Sequence, residues 1–192
     1  MMLLNVPNLV TLSRIILIPL IIAIFYVPDE VLSFSGKNMT ATAIFIFAAI
    51  TDWLDGYLAR KLDQMSAFGA FLDPVADKLI VVGALIVLLK EGRVEAVVAL
   101  IIIGREIAIS ALREWMAKVG QAKSVAVAFI GKLKTASQMI AIPLLLLYDD
   151  ELFGLVDCPV LGTILINIAA VLTVVSMLYY LRKALPYASV RS

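Results

Sequence analysis

Two stretches of the chain set carboxylates at intervals that build a single surface. Asp52, Asp55, Gly56, Ala59 and Arg60 fall at i, i+3, i+4, i+7 and i+8 of the run TDWLDGYLAR. On a helix that spacing is one face. Gly69, Asp73 and Asp77 follow at i, i+4 and i+8, again one stripe. The segment between, KLDQMSAF, is short and polar enough for a turn. The two helices are therefore expected to be antiparallel neighbours, with their stripes facing each other.

Four carboxylates in a partly desolvated cleft repel, which raises the pKa of some unless a cation joins them. Arg60 and Lys78 are too few to neutralise all four. The chain has no histidine and one cysteine, Cys158, so a His/Cys zinc site is not expected and an intrachain disulfide is excluded. Oxygen-only donors suit Mg²⁺ or Mn²⁺, and four aspartates have the capacity for two such ions. Small residues at Gly56, Ala59 and Gly69 let a helix or a ligand approach closely. Pro74 is expected to help aim Asp73 by freeing a backbone carbonyl. A lone aspartate could be salt-bridged structure, but four buried acids without a function are too costly.

The elements that must carry these residues are membrane helices. Of 192 residues, 62% are hydrophobic and 16% charged, with a mean hydropathy of +1.03. Soluble domains lie nearer half apolar, so the composition indicates a polytopic membrane protein, all-α, and gives no reason to expect a nucleic-acid partner. Apolar runs broken by Pro, Gly and charge predict six spans, near 8–27, 39–61, 68–89, 94–116, 125–148 and 160–185. No internal repeat or linker divides them, so one domain over 1–192 is expected. The start, MMLLNVPNLVTLSR, lacks the basic residues and cleavage site of a signal peptide and is expected to be retained.

Loop charge sets a direction. The connections near 28–38, 90–95 and 149–159 hold Lys37, Lys90 and Arg93 against eight acidic residues. The opposite ends carry Arg60, Lys61, Lys118, Lys123, Arg182, Lys183 and Arg191. Positive residues favour the cytoplasmic side. Both termini and the carboxylate stripes are therefore expected there, where a soluble substrate and a lipid can meet.

Residues 52–77, DWLDGYLARKLDQMSAFGAFLDPVAD, resemble the pattern DxxDGxxARx8GxxxDxxxD of the CDP-alcohol phosphotransferases, with every fixed position present. The resemblance extends over nearly the whole chain. It implies transfer of a phosphatidyl group from CDP-diacylglycerol to an alcohol, with release of CMP. It further implies that Asp52, Asp55, Asp73 and Asp77 bind a divalent-metal pair. Gly56, Ala59, Arg60 and Gly69 would shape or contact the CDP site. Asp77 is by resemblance the general base for the incoming alcohol, a role for which the chain offers no histidine.

The acceptor must be read elsewhere. In GREIAISALRE, Arg105, Glu106 and Arg113 share a helical stripe, and Lys132 in GKLKTASQ is expected to join their face, Lys134 less directly. Buried basic residues are costly unless paired or bound to an anion. Pairing with Glu106, Glu114 or the aspartates is the structural alternative, and an acceptor carrying phosphate is the functional one. Serine, ethanolamine and choline need no such cluster. The segments TDWLDGYLAR, FGAFLDPVADKL, GREIAISALREWMA and SVAVAFIGKLKTASQM resemble the branch of the family that uses sn-glycerol 3-phosphate. Arg105, Arg113, Lys132 and Lys134 then become the residues for its phosphate. The same resemblance implies a homodimer in a bacterial inner membrane.

Inositol phosphate or serine as acceptor stays open within the family. A membrane prenyltransferase would show a larger bundle and a different aspartate pattern. A cation transporter would continue its acidic path to the other face, where only weakly acidic material lies. Asn8, Thr11 and Arg14, at i, i+3 and i+6, lie on one side of a short N-terminal interfacial segment. Capping and interfacial anchoring are their simplest roles, with a contact to nucleotide or lipid headgroup as the alternative.

Overall fold

The computed structural model describes residues 6–61, 67–121, 129–152 and 154–187, with the side chains of 6, 7, 53–61, 67, 70 and 129 outside the described set. The expected turns at 62–66 and 122–128, and with them Lys123 and Arg191, lie outside the described residues. Six helices follow in order: α1 (Val6–Ile24), α2 (Phe34–Lys61), α3 (Ala67–Lys90), α4 (Ala96–Lys118), α5 (Phe129–Leu147) and α6 (Cys158–Ala184). A 3-10 turn, Leu185–Tyr187, closes the described chain. The boundaries agree with the sequence expectation to within a few residues.

Local chemistry explains where these helices start and stop. The side chain of Asp157 accepts a hydrogen bond from the backbone N–H of Val160 at 2.8 Å, capping α6. At the end of α3, Gly92 adopts φ +69°. This allows the backbone N–H groups of Gly92 and Arg93 to reach back to the carbonyls of Leu89 and Leu88.

α1 packs broadly on both α2 and α3, whereas α2 and α3 touch each other only sparingly. The two carboxylate stripes therefore meet by way of α1, not through direct packing of their own helices. α6 lies along α5 and α4, and α2 joins the two halves through α5. Close approaches need small residues: a Cβ on Gly83 would come within 2.8 Å of Ile18 on α1, and one on Gly162 within 2.7 Å of Leu145 on α5. The shared core includes Ile21, Phe45, Leu85, Leu88, Ile102, Ile142 and Leu145, all nearly or fully buried.

The outside is apolar as well. Ile16, Ile50, Phe71, Leu100, Ile107, Val171 and Leu178 are exposed along the helices, far more than a water-facing surface tolerates as a continuous belt. α5 over Ile130–Leu147 and α6 from Cys158 are long and apolar enough to cross a membrane, and α1 has a shorter apolar stretch. The chain is thus an all-helical membrane protein.

At the acidic-loop end, Arg93 is only 7% exposed. Its guanidinium donates to the carbonyls of Leu145 and Leu146 at 2.9 and 2.8 Å and to Asn38 Oδ1 at 2.7 Å. The ring of Tyr148 lies 4.5 Å from it. Burial pushes its pKa down, which nearby Glu91 opposes. Arg93→Ala is expected to cost about 3 kcal/mol, because hydrogen bonds from a charged donor are lost and their buried acceptors are left unmet. Thermal unfolding in detergent measures this; an unchanged midpoint would show that the knot contributes nothing.

Candidate active site

Arg14 is the hinge of the site. It projects from α1, is 1% exposed, and its Nη1 donates to Asp52 Oδ1 and Asp77 Oδ1, each at 2.6 Å. Its Nη2 lies 3.9 Å from Asp73 Oδ1. That same Asp73 oxygen accepts a hydrogen bond from Thr11 Oγ1 at 2.6 Å. One guanidinium and one hydroxyl from α1 thus gather a carboxylate from α2 and two from α3. Asn8, Thr11 and Arg14 belong to α1 itself and all are buried. Interfacial anchoring, the simplest sequence reading of Arg14, does not describe a buried guanidinium bonded to two aspartates.

Three carboxylates around one guanidinium leave an excess of negative charge. Each aspartate side chain is close to half exposed, so the cluster is open to a soluble ion. A cation already stands among these oxygens in the form of Arg14, and every donor is a hard oxygen, so the residues fit a divalent metal of the magnesium type. Among the described residues no three acids are grouped closely enough to hold a metal ion by themselves. Asp55 lies on α2, and its side chain is outside the described set, as are those of Gly56, Ala59 and Arg60. Gly69 is described and buried.

Beside the aspartates opens a cavity of about 590 Å³, reached by residues of α1 through α5. Arg14, Asp52 and Asp77 line it, together with Lys78, Arg105, Glu106, Arg113 and Lys134. One wall is acidic, and another carries four cations around a single carboxylate. Glu106 binds two of those cations: Lys134 Nζ donates to its Oε1, as does Arg105 Nη1 at 3.2 Å. Arg105 Nη2 also donates to Ser176 Oγ on α6 at 3.3 Å. Arg113 rests over the fully buried ring of Tyr180, 5.6 Å from its centre. Helix α6 thus braces the basic wall from behind.

The structure reverses the expected weight of the two lysines on α5. Lys134 is 2% exposed and lines the cavity, whereas Lys132 is exposed and lies off it. Two residues are about 200° of helical rotation, so both cannot share a face. Sequence reasoning passed over Ser176 and Tyr180, which carry no spacing signal. It also underweighted Arg14, although an arginine inside an apolar helix is itself a functional signal. A second, apolar groove of about 350 Å³ runs between α2 and α5 and shares Phe45, Ala49 and Met139 with the main cavity.

The CDP-alcohol phosphatidyltransferase family model matches residues 4–175. A protein of Pseudomonas fluorescens named CDP-diacylglycerol–glycerol-3-phosphate 3-phosphatidyltransferase is 47% identical over 186 residues, covering 95% of this chain and 91% of its own. Proteins of the same name from Haemophilus influenzae and Salmonella typhimurium are 46% and 47% identical. They cover 94% of this chain, and 93% and 94% of their own lengths. With the family model spanning residues 4–175 and these relatives matched over nearly their whole length, the chain belongs to the CDP-alcohol phosphatidyltransferase family.

Proposed function

We propose that this protein transfers the phosphatidyl group of CDP-diacylglycerol to sn-glycerol 3-phosphate, giving phosphatidylglycerophosphate and CMP. The observation that carries the reading is one cavity lined both by Asp52 and Asp77 of the family pattern and by a basic wall suited to a second phosphate. The named relatives support the same acceptor. An acceptor without a phosphate would leave most of that wall's positive charge unmatched.

In the transfer, the acceptor's primary hydroxyl oxygen attacks the lipid-bearing phosphorus. The bond from that phosphorus to the bridging oxygen breaks, and CMP leaves with the electron pair. By the family resemblance Asp77 takes the hydroxyl proton, a role open to a carboxylate in a chain without histidine. Divalent metal use goes with this family; bound by Asp52, Asp55, Asp73 and Asp77, two Mg²⁺ or Mn²⁺ ions would offset pyrophosphate charge and polarise the phosphorus. Arg60 is assigned to the nucleotide with Gly56, Ala59 and Gly69, by the family pattern. Arg105, Arg113 and Lys134 hold the acceptor phosphate through charge-assisted hydrogen bonds. Arg105 supports this with a buried Nε–H that no described residue accepts. Lys132 is left out of this set because it stands off the cavity.

The lipid's acyl chains stay in the bilayer, with the apolar α2–α5 groove as their nearest protein surface. We read the chain as a single domain of six spans with its site on the cytoplasmic side, a reading that the helix lengths and the loop charges support, and its place in a bacterial inner membrane rests on the family resemblance. A homodimer rests on the family resemblance.

The test is CMP release by purified protein given CDP-diacylglycerol, Mg²⁺ and separate alcohols. Release dependent on glycerol 3-phosphate is expected; dependence on serine or inositol phosphate instead would replace the acceptor. Arg113→Ala is expected to raise KM for glycerol 3-phosphate roughly tenfold and leave that for CDP-diacylglycerol unchanged, since one charge-assisted contact is removed. An equal rise in both would take Arg113 out of the acceptor pocket.

A further inference from the structure

Gln138 lines the main cavity from α5 and is only 3% exposed. Its Oε1 is fully buried, and no described residue donates to it. A buried acceptor left unmet costs about 1–3 kcal/mol, and such groups in folded proteins ordinarily have a partner. Two nearby donors on α5 are committed elsewhere. Lys134, one turn earlier on the same face, binds Glu106, and the Thr135 hydroxyl donates to the carbonyl of Gly131 at 3.0 Å. Phe45, Ala49 and Met139, which also line the cavity, are apolar.

Arg105 in the same lining has a buried Nε–H that is likewise unmet, so two polar groups of the cavity wall stand open to a ligand seated in the cavity. The proposed acceptor has three oxygen-bearing carbons: a phosphate at one end, the reacting primary hydroxyl at the other, and a secondary hydroxyl between. Lys134 belongs to the phosphate end. Gln138 stands about one helical turn, roughly 5–6 Å, further along α5. That offset suits a group one or two bonds inward from the phosphate. We propose that Gln138 is a specificity-determining residue whose Oε1 accepts a hydrogen bond from the secondary hydroxyl of glycerol 3-phosphate. An amide rotated by 180° would turn its NH₂ to the same hydroxyl oxygen, so recognition holds in either orientation. This inference rests on the acceptor reading above.

The consequence is discrimination against an acceptor that lacks only that hydroxyl. A site built to bond a hydroxyl rejects the analogue without it, because the protein group is then stranded. The experiment compares sn-glycerol 3-phosphate with 3-hydroxypropyl phosphate, which keeps the phosphate and the primary hydroxyl. Wild-type protein is expected to prefer glycerol 3-phosphate by at least about tenfold in kcat/KM. Gln138→Met, of similar shape but without the amide, should lower kcat/KM for glycerol 3-phosphate about tenfold and leave that for the analogue unchanged. The KM for CDP-diacylglycerol should not move.

Equal use of the two acceptors by wild-type protein overturns the proposal, even where no variant folds. Equal loss on both acceptors in Gln138→Met overturns it too, and makes Gln138 a packing or water-holding residue. CMP release that depends on an alcohol other than these overturns the acceptor reading itself, and this contact with it.

Discussion

Removal of divalent cations by chelation is expected to lower CMP release by at least about 1,000-fold, with recovery on adding Mg²⁺ or Mn²⁺. Two phosphates of the donor lipid and the phosphate of the acceptor must approach a cluster that is already acidic. Arg14 is the cation bonded to the aspartates among the described residues, and it is shared by Asp52 and Asp77. It cannot offset the carboxylates and the pyrophosphate together. The same contact predicts that chelation leaves the fold intact, because Arg14 and Thr11 hold Asp52, Asp73 and Asp77 without a metal. Thermal unfolding with and without chelator should therefore show a small shift beside a near-total loss of turnover. Turnover that persists under rigorous chelation would overturn the metal assignment.

Asp77→Asn should lower kcat by about 1,000-fold or more, the range expected when one group serves both proton transfer and metal binding. The substitution keeps the size of the side chain and an oxygen for Arg14 Nη1 to bond. It removes the negative charge and the proton-accepting carboxylate. Loss in kcat with little change in the affinity for CDP-diacylglycerol would mark a group acting in the transfer step. The outcome that sinks this assignment is near-wild-type turnover from folded protein. A rise in the lipid's KM alone would make Asp77 a binding residue.

Much of the site was legible in order along the chain. Helical periodicity put Asp52 with Asp55, and Asp73 with Asp77, because residues three or four apart must share a face whatever surrounds them. The grouping of Arg105, Glu106 and Arg113 followed in the same way. Charges inside an apolar span are costly to bury, and that cost alone marks them as functional. Lys132 against Lys134 was the kind of choice periodicity leaves open. The rotation between them is fixed, but which one turns inward depends on how α5 is seated against α2 and α6.

By itself, the sequence determined the class of this protein: apolar runs too long for a soluble core, an acidic set with only hard oxygen donors, and loop charges with one polarity. These are properties of composition and of spacing within single helices. Tertiary structure alone decided what lies between helices distant in the chain. It placed α1 between the two carboxylate stripes, with Arg14 reaching Asp52 and Asp77 across 38 and 63 residues of sequence. It set Ser176 and Tyr180 behind the basic wall, and it left the Gln138 oxygen buried in the cavity without a donor. Such contacts depend on the packing of whole helices, which no local pattern of residues encodes.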